Sequence, residues 1–225
     1  ETSRCWLELE MKSHPVENFQ RDGAVESPMS KEQVLILGGG LMGLAVAHQL
    51  ARRGQAVAVL SRRRSEAAGF VAAGMLAPHA EGLRGNLLRL GQLSLERIPR
   101  WVAQIEADSG LPCGLRATGI VVPFKNEEER DRHPTAAYGE ALNRQRLGQL
   151  VPGIAPAWRA GLLFEQDGQI DNRRQLMRAL ESACVDRGVH FQEGVEVLEL
   201  LKQDGKLTGV RTRDSEGILS TLECG

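Results

Sequence analysis

Residues 34–43 read Val34-Leu-Ile-Leu-Gly-Gly-Gly-Leu-Met-Gly43, a short apolar strand run that passes directly into a glycine turn. Gly38, Gly40 and Gly43 fit the pattern G-x-G-x-x-G. Behind the turn, the stretch from Leu41 to Arg53 carries Leu44, Val46, Ala47 and Leu50 at helical spacing, and Gly54 follows where a helix would end. Val57-Ala-Val-Leu60 supplies a second strand, so the spacing predicts a complete β-turn-α-β unit. Each glycine has a physical task. Gly38 permits the tight turn, Gly40 removes a Cβ where a pyrophosphate approaches the backbone, and Gly43 lets the helix pack close to the strand. The helix start then offers free N–H groups and a partial positive charge to phosphate oxygens. A glycine pattern alone is weak; flanked by strand, helix and strand at these distances, it predicts dinucleotide binding.

One position departs from that pattern. An acidic residue commonly follows the second strand and takes the ribose hydroxyls. Here Ser61 stands there, followed by Arg62, Arg63 and Arg64. A serine bonds a hydroxyl more weakly than a carboxylate does, and an arginine cluster is either a solvated turn or the receptor of a 2′-phosphate. This unit therefore leaves FAD, NAD and NADP open. Further on, residues 72–81 read Ala-Ala-Gly-Met-Leu-Ala-Pro-His-Ala-Glu. Small residues packed together fit either backbone pressed against a flat ligand or the start of a core helix.

The glycine turn followed by Ala72-Ala-Gly-Met-Leu76 and His79-Ala-Glu81 resembles the D-amino-acid-oxidase-like FAD-dependent oxidoreductases, and among them the glycine oxidases of thiamine biosynthesis. Gly168-Gln-Ile-Asp-Asn-Arg-Arg174 is similar to the family's stretch before the helix that returns to the FAD domain, and the resemblance covers about residues 33–225. It implies FAD as cofactor. By position, Leu41 and Met42 would lie against the pyrophosphate with Gly38, Gly40 and Gly43. Ser61 and Arg62 would sit at the adenosine ribose, and Ala73, Gly74 and Met75 would line the isoalloxazine. The Val195-Glu-Val-Leu-Glu-Leu200 stretch resembles the strand that meets the adenine, with Val197 favoured over Val195. The implied reaction is oxidative deamination of glycine or a related small amine, with hydride passing to the flavin and oxygen reoxidising it to give peroxide. A thiazole synthase is a possible fusion partner, and homo-oligomerisation is open. The family's carboxylate-gripping arginine, the tyrosine beside it and a second glycine-rich FAD loop have no counterpart here, so no catalytic residue is assigned.

The implied fold class is α/β: a Rossmann-like FAD-binding domain interleaved with an α+β substrate domain, truncated at its C-terminus. Residues 1–32 are expected to be a disordered leader, with Met29 as the true start. Residues 33–82 form the first part of the FAD-binding domain, 83–165 the first part of the substrate domain, and 166–225 the return segment. The abrupt end at Gly225 leads us to expect an incomplete fragment, inactive alone or unable to hold FAD.

Outside these motifs, Asn86 is expected to cap an amphipathic helix with Leu87, Leu90, Ser94, Ile98, Trp101 and Ile105 on one face. Gly119 to Phe124 reads as a strand ended by Pro123, residues 125–135 as a charged loop, and Glu140 to Leu150 as a polar helix. Asp171 or Asn172 caps a helix carrying Leu176, Leu180 and Cys184 and closed by Gly188. Strands follow at 189–191, 195–201 and 207–213, with Asp204-Gly205 as a hairpin turn and a further strand over Ile218 to Leu222. His133 and Tyr138 read as surface structure, and His79 and Glu81 as a local hydrogen bond in preference to a proton relay. The 28 basic and 29 acidic residues of the 225-residue chain leave a net charge of −1, which excludes nucleic-acid binding by bulk charge. Aromatic residues make up 4%, too few for base-stacking platforms. No apolar run reaches the roughly 18 residues of a membrane span. The four cysteines contain no C-x-x-C pair, so neither a zinc site nor any other metal site is expected, and they read as scattered reduced thiols. No secretory signal is visible, and a cytoplasmic location is expected.

Overall fold

A computed structural model describes residues 34–223. The expected leader, the start at Met29, the end at Gly225, and Cys5 and Cys224 all lie outside those residues. The chain begins with β1 (Val34–Leu37), α1 (Leu41–Arg52) and β2 (Val57–Ser61). A long excursion follows: β3 (Met75–Leu76), α2 (Gly85–Ser109), β4 (Leu115–Arg116), β5 (Ile120–Phe124), α3 (Glu127–Asp131), β6 (Glu140–Asn143), α4 (Arg144–Leu150), β7 (Ala160–Phe164) and β8 (Gly168–Ile170). The chain then returns through α5 (Arg173–Asp186) and β9 (His190–Glu193), and finishes with β10 (Glu196–Gln203), β11 (Lys206–Arg213) and β12 (Leu219–Glu223).

The return closes a parallel sheet of order β1-β2-β9, in which β2 pairs with β1 (Val57 opposite Val34) and with β9 (Ala58 opposite His190). Every residue of β2 is buried, which explains its unbroken apolar run: a central parallel strand is covered on both faces. Leu44 and Ala47 of α1, Leu176, Met177, Leu180, Ala183 and Cys184 of α5, and Val102 and Ile105 of α2 form the core beside it. Three antiparallel sheets complete the α/β fold, with orders β3-β8-β4, β5-β7-β6 and β10-β11-β12. At the β10–β11 turn, Asp204 and Gly205 both have positive φ, as the hairpin reading required. The Asn172 side chain accepts the N–H of Gln175 and starts α5.

Several local expectations need correction. The polar helix over 140–150 is a strand followed by a helix: Leu142 is buried opposite Gly161 on β7, and the Asn143 side chain caps α4 by accepting the N–H of Arg146. Within the charged loop, Asn126 caps the short helix α3 through the N–H of Glu129. The strand β5 runs past Pro123 to Phe124, because it is an edge strand of its sheet and a missing donor is tolerated there. Helix α2 starts at Gly85 with Arg84 at its cap, and no side-chain bond from Asn86. Its face is only half as predicted: Ile98, Trp101, Val102 and Ile105 pack inward, while Leu87 and Leu90 stay exposed, as does Val46 of α1. Residues 72–81 do not start a helix; they contribute β3.

One buried polar cluster ties three helices together. Asp108, at the end of α2, lies 2.8 Å from His48 Nε2 and 2.6 Å from Arg52 Nη1, both on α1, and 2.5 Å from Arg187 Nη2 just beyond α5. Burial alone would raise the Asp108 carboxyl, but hydrogen bonds from Arg187, His48 and Arg52 outweigh it and hold the carboxyl far below the usual range. Asp108 is therefore an acceptor, and His48 donates from Nε2. A carboxyl depressed in the folded state stabilises it above the unfolded pKa of about 4, and that stability is lost as pH falls through the folded pKa. Asp108→Asn should cost about 2 kcal/mol near neutral pH, less than a fully buried broken pair because Arg52 and Arg187 keep contact with water. Below about pH 4 the difference between variant and unsubstituted protein should shrink, which unfolding midpoints measured against pH would test.

Candidate functional site

The C-terminal ends of β1 and β2 carry the glycine turn. Gly38 has φ of +113°, and its N–H donates to Leu60 O at 2.8 Å, so the turn is held against the central strand in a conformation open to glycine. A Cβ at Gly43 would lie 1.9 Å from Gly38 O, so α1 sits on the turn too closely for any other residue. Gly40 is the N-cap of α1; no side chain caps this end and no acidic residue occupies its first turn. The first N–H groups of the helix, at Leu41, Met42 and Gly43, are therefore left to an external acceptor. On the outer side of the turn there is room. A Cβ at Gly38 would meet nothing within 4 Å, and one at Gly40 only Ala67 Cβ at 3.9 Å. An uncapped helix start with an open glycine face fits the pyrophosphate of a dinucleotide.

Ser61 closes β2 and is buried. Its carbonyl accepts the N–H of Val195 at 3.2 Å, which brings the start of β10 beside the end of β2. Arg62 is exposed with Glu196 at 3.9 Å, and Val197 is half-buried on β10 opposite Thr212. Ser61, Arg62 and the β10 start thus share one edge with the glycine turn. The other two arginines are engaged with acids: Arg63 Nη1 lies 2.6 Å from Glu66, and Arg64 pairs with Glu181 and Glu193. Arg64 is thereby enclosed by acids, while Arg62 and Arg63 keep largely exposed guanidinium groups.

Ala73, Gly74 and Met75 lie at the start of β3. Gly74 has φ of +85°, its carbonyl accepts the N–H of Ile170 at 2.8 Å, and a Cβ there would stand 2.4 Å from Ile170 O. Backbone is pressed on backbone, so the small residue serves a close approach of β3 to β8. Met75, opposite Gln169, is 54% exposed, while Leu76 turns inward against the core. Met75, Val71 and Met42 (76% exposed) present apolar side chains outward.

Beyond β3 lies a buried pair that no local sequence pattern announces. His79 Nδ1 lies 2.6 Å from Asp167 Oδ1, and Asp167 Oδ2 accepts the N–H of Ala80 at 2.8 Å. Gln92 Nε2 stands 3.2 Å from His79 Nε2, so the Nδ1–H tautomer satisfies both neighbours. Thr135 donates to the carbonyl of His79, and the rings of Tyr138 and Phe164 cover the imidazole at 5.2 and 6.1 Å. His79, Gln92, Leu95, Glu96 and Gln166 line a cavity of about 570 Å³. The local hydrogen bond expected of His79 and Glu81 is not the one formed: the partner of His79 is Asp167, 88 residues further on, and it gave no sequence signal. His133 is half-buried between Phe124 and Phe164, and burial holds it below the ordinary histidine range; Tyr138 is exposed. Burial, helped by Glu106, pushes the Cys113 thiol up to about 11, and burial chiefly raises Cys184 to about 12, so neither is a nucleophile at neutral pH.

Gly74→Ala should place a side chain in left-handed backbone, at about 1–2 kcal/mol, and push β3 off β8. Loss of hydrogen-exchange protection at Ile170, whose N–H bonds Gly74, would report it. Asp167→Ala should cost about 2–3 kcal/mol by leaving the buried His79 ring N–H and the part-buried Ala80 N–H without a partner, read as a lowered unfolding midpoint.

Among the described residues, no helix is long and apolar enough to cross a membrane, and no group of three or more metal-ligating side chains is present. Comparison with known proteins agrees with the geometry. The bifunctional protein ThiO/ThiG of Synechocystis is 37% identical over 182 residues, covering 80% of this chain and 27% of that protein. The glycine oxidase of Geobacillus kaustophilus is 29% identical over 178 residues, covering 74% of this chain and 47% of that protein. The crystal structure of glycine oxidase from Bacillus cereus matches with a TM-score of 0.73 at 27% identity, over 86% of this chain and 53% of that one. The chain thus spans about a quarter of the bifunctional relatives and about half of the solved oxidases. A family model described as DAO, FAD dependent oxidoreductase, matches residues 33–221. With this match over most of its length, the chain belongs to the DAO family of FAD-dependent oxidoreductases.

Proposed function

We propose that this chain carries the FAD-binding part of an oxidase acting on glycine or a related small amine, feeding the thiazole of thiamine. The uncapped, open-faced start of α1 behind the glycine turn is the observation that carries this reading. In it, Gly38, Gly40 and the N–H groups of Leu41, Met42 and Gly43 hold the pyrophosphate. Ser61 and Arg62 meet the ribose, the Val197 backbone meets the adenine, and Ala73, Gly74 and Met75 lie against the isoalloxazine. Residues 33–82 and 166–225 then belong to the FAD-binding domain, and 83–165 to the substrate domain. Membership of β1, β2 and β9 in one sheet, and of β5, β6 and β7 in another, supports that division. The chemistry supplied by FAD is a two-electron oxidation of the amine to an imine, with oxygen taking the electrons to give peroxide. No residue of this chain is assigned to the chemical step. A small amine and oxygen are the substrates, and a thiazole synthase, fused or separate, is the partner this reading implies.

The test uses protein expressed from its whole reading frame. Bound flavin in the visible spectrum and glycine-dependent peroxide are expected; NADPH binding without flavin would overturn the reading. Gly40→Ala separates binding from folding. The added Cβ meets only Ala67 Cβ at 3.9 Å, so stability should change by no more than about 1 kcal/mol. FAD affinity should fall at least about tenfold, roughly 1.4 kcal/mol.

A further inference from the structure

Gly39 has no task in the G-x-G-x-x-G pattern, and by sequence Arg64 belongs to a solvated turn or a phosphate receptor. Arg64 stands just past β2, at the same edge as the glycine turn. Its backbone N–H donates to Glu193 Oε1 at 3.2 Å, and its Nε and Nη2 donate to Oε2 at 3.0 and 2.8 Å. Nη1 lies 2.8 Å from Glu181 Oε1 on α5, as an ion pair without hydrogen-bond alignment. The guanidinium carbon sits 4.4 Å from the centroid of the Phe191 ring. The side chain is 19% exposed. Two elements, β9 and α5, thus fix the far end of one arginine.

Its stem meets the glycine turn. A Cβ at Gly39 would lie 2.6 Å from Arg64 Cγ and 2.8 Å from Cδ, with Ser61 Cβ at 3.3 Å. These are inner carbons of a side chain held at its far end, so they cannot swing aside. The neighbouring Gly38 and Gly40 face open space. The turn therefore has an inner side walled by Arg64 and an outer side free for a ligand. Two carboxylates flank the Arg64 guanidinium, so its own charge is compensated within the fold. The Glu193 carboxyl agrees: burial raises it, but the bonds from Arg64 outweigh burial and hold it low.

We propose that Arg64, clamped by Glu193 and Glu181, is a positioning residue of the nucleotide turn: its stem is the wall on which Gly39 rests, and its charge is withdrawn from phosphate recognition. The proposal rests on the FAD reading of this edge.

The experiment is a double-mutant cycle of Gly39→Ala and Arg64→Ala in protein from the whole reading frame. FAD affinity is read by quenching of flavin fluorescence at a temperature where circular dichroism shows every variant folded. Unfolding midpoints are read without FAD. With Arg64 present, Gly39→Ala should weaken FAD roughly tenfold; in the Arg64→Ala background it should add less than about twofold. Arg64→Lys should not restore affinity, since an ammonium cannot hold two carboxylates as a planar guanidinium does. Independent effects on affinity, with coupling confined to the unfolding midpoints, would overturn the positioning role. NADPH binding that is lost in Arg64→Ala would make Arg64 a phosphate receptor and overturn it as well. Absence of FAD binding by the unsubstituted protein would sink the functional reading instead; the Gly39–Arg64 wedge would then stand or fall on coupling in the unfolding midpoints.

Discussion

The parallel pairing of β2 with β9 joins parts of the chain more than 120 residues apart, with Ala58 facing His190. Closing so long a loop costs conformational entropy before any contact offsets it. The offset comes from the excursion's far end: α5 arrives with an apolar face that packs with α1 and α2 in one core. The edge so formed holds the glycine turn, Ser61 and the start of β10 in one place. Without β9 beside β2, Glu193 and Phe191 would not reach Arg64, and Val195 would not bond Ser61.

Three polar ties then fix what the core leaves free. Asp108 joins the ends of α1, α2 and α5; Asp167 joins the segment after β3 to the turn before β8; Arg64 joins the turn after β2 to β9 and α5. Each gathers several donors or acceptors around one charged group, because a buried charge with a single partner is poorly compensated. Asp167 is the most local in effect. With β3 only two residues long, backbone pairing alone is a weak anchor, and the carboxylate that accepts both His79 and Ala80 extends the attachment. The segment after β3 is therefore tied to the turn before β8 by side-chain bonds as well as by the β3–β8 pairing.

Much of the fold was legible because its signals are local. Glycine spacing, the unbroken apolar run of β2, the Asn172 cap and the Asp204-Gly205 turn each depend on neighbours a few residues away. Expectations failed where tertiary pairing overrode local pattern: Glu140–Asn143 is polar enough for a helix, yet β7 takes Leu142 as a core residue. They failed again along α2, where the apolar face continues over Leu87 and Leu90 past the end of the core that Val102 and Ile105 reach. His48 lies four residues from Leu44 on the buried face of α1, so its burial could have been read from spacing; its acid partner could not.

By itself the sequence determined the class of the protein: a nucleotide-binding β-turn-α-β unit and an Ala-Ala-Gly-Met-Leu element, both set by residues close together in the chain. Only the tertiary structure decided the fate of the charged residues. Three consecutive arginines look alike in sequence, but one is exposed, one has a neighbouring partner, and Arg64 is enclosed by acids 117 and 129 residues further on. The physical reason is range. Glycine geometry and helix capping act within a turn, whereas the pairing of a charge depends on which distant elements the core brings to the same edge.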